Sequence, residues 1–499
     1  MKDIQDRHRT LKESFSSNPR SVRDSKDLLS KFRNVLSQSF EPIAAAVKAD
    51  FNKPQLEFYV AEFGQAIAET NNIINNLESM LSSPSPKTVP VTFSTMSMEV
   101  EKIALGTVLI ISPFNYPLIL SISPLVGAIA AGNNVVLKLP YDQLPNFSRA
   151  LTEVLESVFP PEVLLVVGGG VTESTYLLNE CKFDKIFFTG STKVGKIVYE
   201  AASKNLTPVV LELGGKSPVF ITKNIDLSSI DALLDRLLWG KFSNAGQTCV
   251  APDYVLVDSV VYEKVMNHLQ KAFEKFSKID NKSDYSHVVN QRNFDRLNGL
   301  IESTKGDVIG GRTVKEDLFI APTIVSNIDW NDPLMCEEIF GPILPIIKYD
   351  GSFQSIIKKV TENHDTPLAA YLFSSSEEDL TMLRKYLRSG SILVNETLMS
   401  AGCFVTPFGG IGSSGFGNYH SKWSIDTFTH ERAVLKQPLW AEFLLAERYY
   451  PYTEKKLRKL MLLSKIPEVP FQLVKSILFY CLVFICGYFV GGVWNSFSR

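Results

Sequence analysis

The sequence predicts an α/β protein built on a parallel, doubly wound sheet, with a second α/β region following it. Three observations carry this. From Gly106 to Gly215 short apolar runs alternate with longer stretches of helical period, the pattern of strands joined by crossover helices. A second alternating region runs from about Pro218 to Asn395. Between them Glu212-Leu213-Gly214-Gly215 closes the apolar run Pro208–Leu211, which places a domain boundary near Gly214–Pro218 and a cleft between the two halves. At 499 residues the chain has ample length for two domains and a large core.

Residues 1–82 space apolar positions such as Leu28-Leu29, Phe32, Val35-Leu36 and Phe40 among charged ones, so several amphipathic helices are expected. Ser82-Ser83-Pro84-Ser85-Pro86 ends that pattern, and Thr88–Val108, rich in Val, Thr and Ile, reads as extended. Strands are predicted at Val108–Ile111, Asn134–Lys138, Leu164–Val167 and Lys185–Phe188, with helices at Leu118–Ala131 and Phe147–Val158 between them. The second region places strands at Tyr254–Val257, Pro345–Lys348 and Ser391–Val394.

The last sixty residues differ. Leu439–Leu463 sets apolar clusters beside Lys455-Lys456-Leu457-Arg458-Lys459. Ser476–Val493 is 18 residues without a charge, roughly 27 Å as a helix at about 1.5 Å per residue, close to the thickness of a bilayer core. A buried core helix is the plainer alternative, but the position behind a basic stretch and Lys475 predicts a membrane anchor over 474–494 with the rest of the chain on the cytosolic side.

Composition excludes some classes. Lys and Arg number 51 against 53 Asp and Glu, so no basic field points to nucleic acid. The six cysteines are scattered without paired or zinc-type spacing, which implies a reducing compartment and no metal. The charged start, MKDIQDRHRTLKESF, lacks the apolar segment of a secretory signal, and its acids argue against a matrix transit peptide.

The chemistry gathers between Pro208 and Cys249. A carboxylate at the mouth of a strand, Glu212, and a cysteine behind the Gly246-Gln247-Thr248 turn can face each other across a cleft. That pairing suits a thiolate attacking a carbonyl and a carboxylate later activating water. A free cysteine is most often a small core hydrophobe, and a glutamate after a strand often caps a helix; the surrounding motifs shift both readings. If a helix begins at Cys249, its amides would lower the thiol's pKa.

Glu212–Pro218 (ELGGKSP) and Gly246–Cys249 (GQTC) resemble the signatures of the aldehyde dehydrogenase superfamily, and the likeness runs in order from about Glu101 to Gly415. Cys249-Val250-Ala251-Pro252-Asp253-Tyr254, a short N-terminal part and the apolar tail look like its class 3, fatty-aldehyde branch. The resemblance implies an aldehyde dehydrogenase fold: a Rossmann-like dinucleotide-binding domain (1–92 and 108–217), an α/β catalytic domain (218–415) and a small oligomerisation arm (93–107 and 416–436). An amphipathic region (437–470) and the anchor complete it. Dimerisation through the arm is part of that expectation.

The same resemblance assigns roles. Cys249 is the nucleophile, Glu212 the base for thioester hydrolysis, and Asn115, in Ser112-Pro113-Phe114-Asn115-Tyr116-Pro117, the oxyanion donor. Gly190-Ser191-Thr192-Lys193-Val194-Gly195 follows a strand and opens a helix, where a pyrophosphate would meet backbone amides. Glu338 and Phe340, in Glu338-Ile339-Phe340-Gly341-Pro342, resemble the residues that hold the nicotinamide ribose and pack by the ring; Phe114 and Leu213 complete that set. Lys138 matches the lysine on the adenosine ribose, but Leu139-Pro140-Tyr141-Asp142 departs from the family's K-P-S-E. Asp142 becomes a weak candidate for the ribose acid, and the cofactor reads as NAD, with NADP open. Gly410-Ile411-Gly412-Ser413-Ser414-Gly415 matches G-x-G-x-x-G in letters but follows Pro407-Phe408 instead of opening a βαβ unit, so it is set aside.

The implied reaction is oxidation of medium- to long-chain aliphatic aldehydes such as hexadecenal, from sphingolipid breakdown, to carboxylic acids. Aromatic aldehydes such as 4-hydroxybenzaldehyde also stand. A CoA-acylating dehydrogenase is one rival, and a membrane-tethered scaffold without activity is another. The tail fits the mitochondrial outer membrane, the endoplasmic reticulum or a lipid droplet.

Overall fold

A computed structural model of the chain describes residues 1–83 and 87–470; the predicted anchor, 474–494, lies outside the described residues. The chain divides into two compact units, one of Met1–Met80 with Ala104–Thr429, the other of Leu81–Ile103 with the chain from His430 onward.

Among the described residues the larger unit holds two large sheets and a two-stranded one, Thr313–Val314 with Phe319–Ile320. In the first, β1 (Thr107–Ile111), β2 (Asn134–Lys138), β3 (Leu164–Val167), β4 (Lys185–Thr189) and β5 (Val209–Glu212) run parallel in the order β3-β2-β1-β4-β5. Gly415–Phe416 adds an antiparallel edge beside β5. Every residue of β1, β2, β3 and β5 is buried, which is why these strands read as continuous apolar runs without alternation. Val108, Leu109 and Ile110 are fully buried, each contributing about 1.5–3 kcal/mol. The strand order reverses between β1 and β4, and in such sheets the ligand crevice lies outside the carboxyl ends at that point. Those ends lead into Ser112–Tyr116 and into Gly190-Ser191.

The second sheet contains β6 (Pro218–Ile221), β7 (Tyr254–Asp258), β8 (Asp307–Ile309), β9 (Thr323–Ser326), β10 (Ile343–Tyr349), β11 (Ala369–Phe373) and β12 (Ser391–Val394), ordered β8-β9-β10-β7-β6-β11-β12. Only β8 is antiparallel to its neighbour. The N-terminal helices Lys2–Ser17, Val22–Gln38, Phe40–Phe51 and Gly64–Leu81 bury one stripe each, such as Leu29, Phe32 and Leu36 on the second, as their helical spacing requires. The helix Ile119–Ala130 buries all but one residue, consistent with a sequence that carries no charge and whose only polar side chains are two serines.

In the smaller unit Ser97–Ala104 pairs with Thr429–Lys436, and Arg432 and Glu101 form an exposed ion pair at 2.6 Å. Thr88–Val108 is not extended throughout: Val91–Phe93 forms a single 3₁₀ turn closed by Phe93 N–H to Pro90 C=O at 2.9 Å, because Pro90 presets the backbone for a turn. The helix Glu454–Leu463 is capped by Thr453 and leaves Leu457, Met461 and Leu462 exposed. Among the described residues no helix is long and apolar enough to cross a membrane.

Candidate active site

The cysteine loop is built from strained backbone. After the helix Ile230–Phe242, Asn244, Ala245 and Gly246 take φ of 53°, 51° and 70°. Left-handed residues other than glycine cost on the order of 1–3 kcal/mol each and persist only where their surroundings over-determine them. Here Asn244 Nδ2 donates to the carbonyls of Asn115 (2.8 Å) and Gln247 (3.1 Å). Gln247 in turn donates to His287 C=O (2.9 Å) and accepts from Val289 N–H (3.0 Å). Gly246 has to be glycine: a Cβ there would lie 2.2 Å from Gly341 C=O.

Cys249 follows, half-buried, in a turn. The condition on which the sequence made a helix dipole act on the thiol is not met: no helix begins at Cys249, and the α-helix before it ends at Phe242, because the left-handed run that turns the chain into the cleft cannot continue a right-handed helix. The thiol is therefore not acidified by a dipole. Burial first, then the Glu338 and Glu212 carboxylates, push it up to about 12 against the opposing N–H groups of Cys249 and Val250.

Glu212 ends β5 in the cleft, buried, and among the described residues neither carboxyl oxygen has a hydrogen-bond partner. Burial raises its pKa well above the carboxylate range. Its backbone is held on both sides: its C=O accepts from Gly190 N–H at 3.0 Å, and it faces Gly415 across the antiparallel edge. The Gly410–Gly415 run thus braces the Glu212 strand. Gly415, at φ +116°, sits where a Cβ would be 1.8 Å from Leu211 C=O.

Asn115 is buried just beyond β1. Its C=O accepts from Asn244 Nδ2 and from Lys53 Nζ at 3.0 Å. That fixes the backbone without engaging the side-chain amide. Lys53 is fully buried, pairs with Glu62 at 2.5 Å and lies 4.2 Å from the Tyr116 ring centroid. Glu62 accepts from Leu118 N–H at 2.8 Å, and Tyr116 OH meets Thr248 Oγ1 at 2.8 Å. This scaffold ties the Asn115 loop to the Cys249 loop. Sequence reading missed Lys53 and Glu62, which sit in an ordinary amphipathic stretch; Tyr116 was visible only as Asn115's neighbour.

Glu338 enters from the second sheet. A Cβ on Gly214 would lie 2.1 Å from its Oε2, so the glycine makes room for the carboxyl. Burial and Asp253 push Glu338 up to about 8, against Gly215 N–H, Lys216 and Arg296. Lys216 Nζ donates to Asp253 at 2.5 Å and to the carbonyls of Leu334 (2.8 Å) and Glu337 (2.9 Å), while Ile339 N–H donates to Asp253 at 3.1 Å. The lysine of one motif and the aspartate after the cysteine therefore hold the Glu338 segment between them. Phe340, at φ 48°, meets Phe114 edge-on at 6.0 Å.

A dinucleotide fits the adjoining crevice. Ser191 caps the helix Thr192–Ser203 by accepting from Val194 N–H. A Cβ on Gly190 would strike Phe188, and one on Gly195 would lie 2.6 Å from Leu213, so the turn lies flat on the sheet. Thr192, Lys193 and Val194 form the open first turn, with Lys193 and Val194 exposed. Lys138 Nζ donates to Leu139 C=O (2.7 Å) and Gly169 C=O (2.6 Å), and feels both Asp142 and Glu173. The departure at 138–142 thus leaves two acids beside the lysine.

Cys249 opens into a pocket of ≈ 590 Å³ within the larger unit. Its walls include Leu56, Val60, Ile119, Leu120, Trp239, Phe242, Phe276, Ile279, Leu398, Met399 and Phe408. Leu56, Val60, Trp239 and Met399 are also among the exposed large hydrophobic residues.

Residues 8–434 match the model of the aldehyde dehydrogenase family. The chain is 39% identical over 460 residues to fatty aldehyde dehydrogenase HFD1 of Saccharomyces cerevisiae, covering 89% of this chain and 85% of the relative. It is 37% identical over 486 residues to aldehyde dehydrogenase family 3 member A2 of Rattus norvegicus, covering 96% and 98%. Among solved structures it resembles the substrate-bound state of Staphylococcus aureus AldH, with a TM-score of 0.82, 36% identity, and coverage of 87% and 94%.

Proposed function

The chain belongs to the aldehyde dehydrogenase family, as an oxidoreductase of its fold, and from that premise we propose that it oxidises medium- to long-chain aliphatic aldehydes to carboxylic acids. The observation that carries this is the ≈ 590 Å³ apolar pocket ending on Cys249. A hydrocarbon chain gains about 0.8 kcal/mol per buried methylene in such a place. The similarity to a relative named fatty aldehyde dehydrogenase supports the same reading.

In the proposed mechanism the Cys249 thiol gives its proton to solvent and the thiolate Sγ attacks the aldehyde carbon. The Asn115 amide and the Cys249 N–H donate to the oxyanion, which in acyl chemistry is worth about 10²–10³ in rate per donor. The nicotinamide, when bound, supplies the hydride acceptor. Oxidation leaves a thioester on Cys249. Glu212 takes a proton from water, the water oxygen attacks the thioester carbon, and the cysteine leaves as thiolate. Gly190–Gly195, Leu213, Phe114, Glu338 and Phe340 would hold the dinucleotide, with Lys138 on its adenosine side. We propose NAD as the preferred form, because Asp142 and Glu173 beside Lys138 would repel a 2′-phosphate.

The charge-free stretch within 474–494 supports a tail anchor, and the strand pair Ser97–Ala104 and Thr429–Lys436 supports an arm for a homodimer. Turnover by the detergent-solubilised full chain is the test, with hexadecenal, hexanal and 4-hydroxybenzaldehyde, each with NAD or NADP and with or without CoA. CoA-independent turnover that Cys249→Ala abolishes is expected, fastest on hexadecenal with NAD. Dependence on CoA would transfer the case to an acylating enzyme.

A further inference from the structure

Away from the reacting groups, the pocket wall carries two polar atoms with nothing to bind. Glu57 lines the pocket from the short helix Gln55–Phe58, and its Oε1 is buried without a hydrogen-bond partner among the described residues. Tyr285 lines the same pocket, is 7% exposed, and its buried hydroxyl is equally unpartnered. Burial first, and then the Glu57 carboxylate, push the Tyr285 phenol up. The carboxylates that raise Cys249 are Glu338 and Glu212, so Glu57 stands along the wall and not at the reaction centre.

Two other polar groups of the wall are already engaged. Tyr116 OH is engaged with Thr248 Oγ1 at 2.8 Å, and Asp284 with Lys48 Nζ at 2.9 Å. An unpaired polar atom in an apolar wall is costly, and a ligand that supplies the missing hydrogen bond removes that cost. Burial has pushed the Glu57 carboxyl up to about 7, against Lys53 and the Asn244 N–H, so one side of the carboxyl is held by the cysteine loop while Oε1 stays free for a ligand. A carboxylate accepts and a phenol can donate; a hydroxyl offers the complement of both. A hydrocarbon offers neither, and an ammonium gives the phenol nothing to donate to.

We propose that Glu57 and Tyr285 form a specificity site for a hydroxyl carried on the aldehyde away from its carbonyl, Glu57 accepting from it and Tyr285 donating to it. The assignment rests on the aldehyde-oxidising reading above and adds to it a preference for the hydroxylated member among aldehydes of one size, aliphatic or phenolic.

The test is kcat/KM on matched pairs: alkanals against ω-hydroxyalkanals of equal chain length, and benzaldehyde against 4-hydroxybenzaldehyde. Wild type, Glu57→Gln, Glu57→Leu and Tyr285→Phe are compared. A wild-type preference for the hydroxylated partner is expected, falling about 10–100-fold in Glu57→Leu, mainly through KM, while the unsubstituted partner improves. The pair that shows the effect identifies chain or ring. A preference ratio that no variant changes, equal losses on both partners, or no wild-type preference overturns the site while leaving the aldehyde reading intact. A wild type idle on every aldehyde overturns that reading, and this assignment with it.

Discussion

Replacing Glu212 with glutamine isolates the second half of the proposed reaction. The change is nearly isosteric and breaks no hydrogen bond, since among the described residues neither carboxyl oxygen has a partner. Burial already favours the uncharged form, and the backbone stays pinned by Gly190 and Gly415, so the thermal midpoint should not fall below wild type. The loss is then chemical. A positioned general base contributes about 10²–10⁴ in rate, or about 3–5 kcal/mol at 1.36 kcal/mol per tenfold. Rapid mixing of enzyme, NAD and aldehyde should show a burst of reduced nicotinamide equal to the number of sites. A steady state about 10²–10⁴ slower than wild type should follow. A steady-state fall of less than about tenfold would refute Glu212 as the base. Loss of the burst would place Glu212 before oxidation, drawing the proton from Cys249.

Three further outcomes follow from the geometry. Glu338→Gln removes the carboxylate that raises Cys249 most after burial, so iodoacetamide should alkylate Cys249 faster at about pH 8, about tenfold for each pKa unit recovered; unchanged or slower alkylation would contradict the charge coupling. Lys216→Met leaves Asp253 buried without its cation and frees the Glu338 segment, so urea denaturation should show a loss of about 3–5 kcal/mol and cofactor titration a higher KM; wild-type values for both would refute the positioning role. Glu69 is buried and pushed up to about 7 from 4.5, so its folded form favours the proton. That contribution is present below about pH 4.5 and lost as pH rises through 7, costing about 3 kcal/mol at pH 8. Glu69→Gln keeps an acceptor for Ser421 N–H, and its denaturation midpoint should therefore gain on wild type at pH 8 but not at about pH 5.

What could be read from the sequence divides along physical lines. Strands buried on both faces are written as unbroken apolar runs, so Asn134–Lys138 and Leu164–Val167 were placed to the residue. Strands such as Asp307–Ile309 and Thr323–Ser326 were missed, because each mixes polar with apolar residues and so neither is an unbroken apolar run. Local motifs pointed to Cys249, Glu212, Asn115 and Glu338 because each sits beside glycines or prolines that force an unusual backbone. Glu62 and Glu57 gave no such sign, and Lys53, between left-handed Asn52 and Pro54, belongs to no motif. Their burial is created by elements far away in the chain, and nothing in the local sequence distinguishes a charge that ends up in solvent from one that ends up under a loop.

The three acidic groups around the reaction centre explain why the resting site holds its protons and how that ordering serves the chemistry. Cys249 is raised by Glu338 and by Glu212, so a charge on either carboxylate makes the thiolate harder to form. Glu212 is itself raised by burial, and in its protonated form it cannot activate water. The protonated thiol and the thioester that replaces it are both uncharged, so acylation lifts no repulsion from Glu212. What favours its carboxylate is water in the cleft, which removes the desolvation that raises it. The water that is to attack the thioester is therefore also what readies the base.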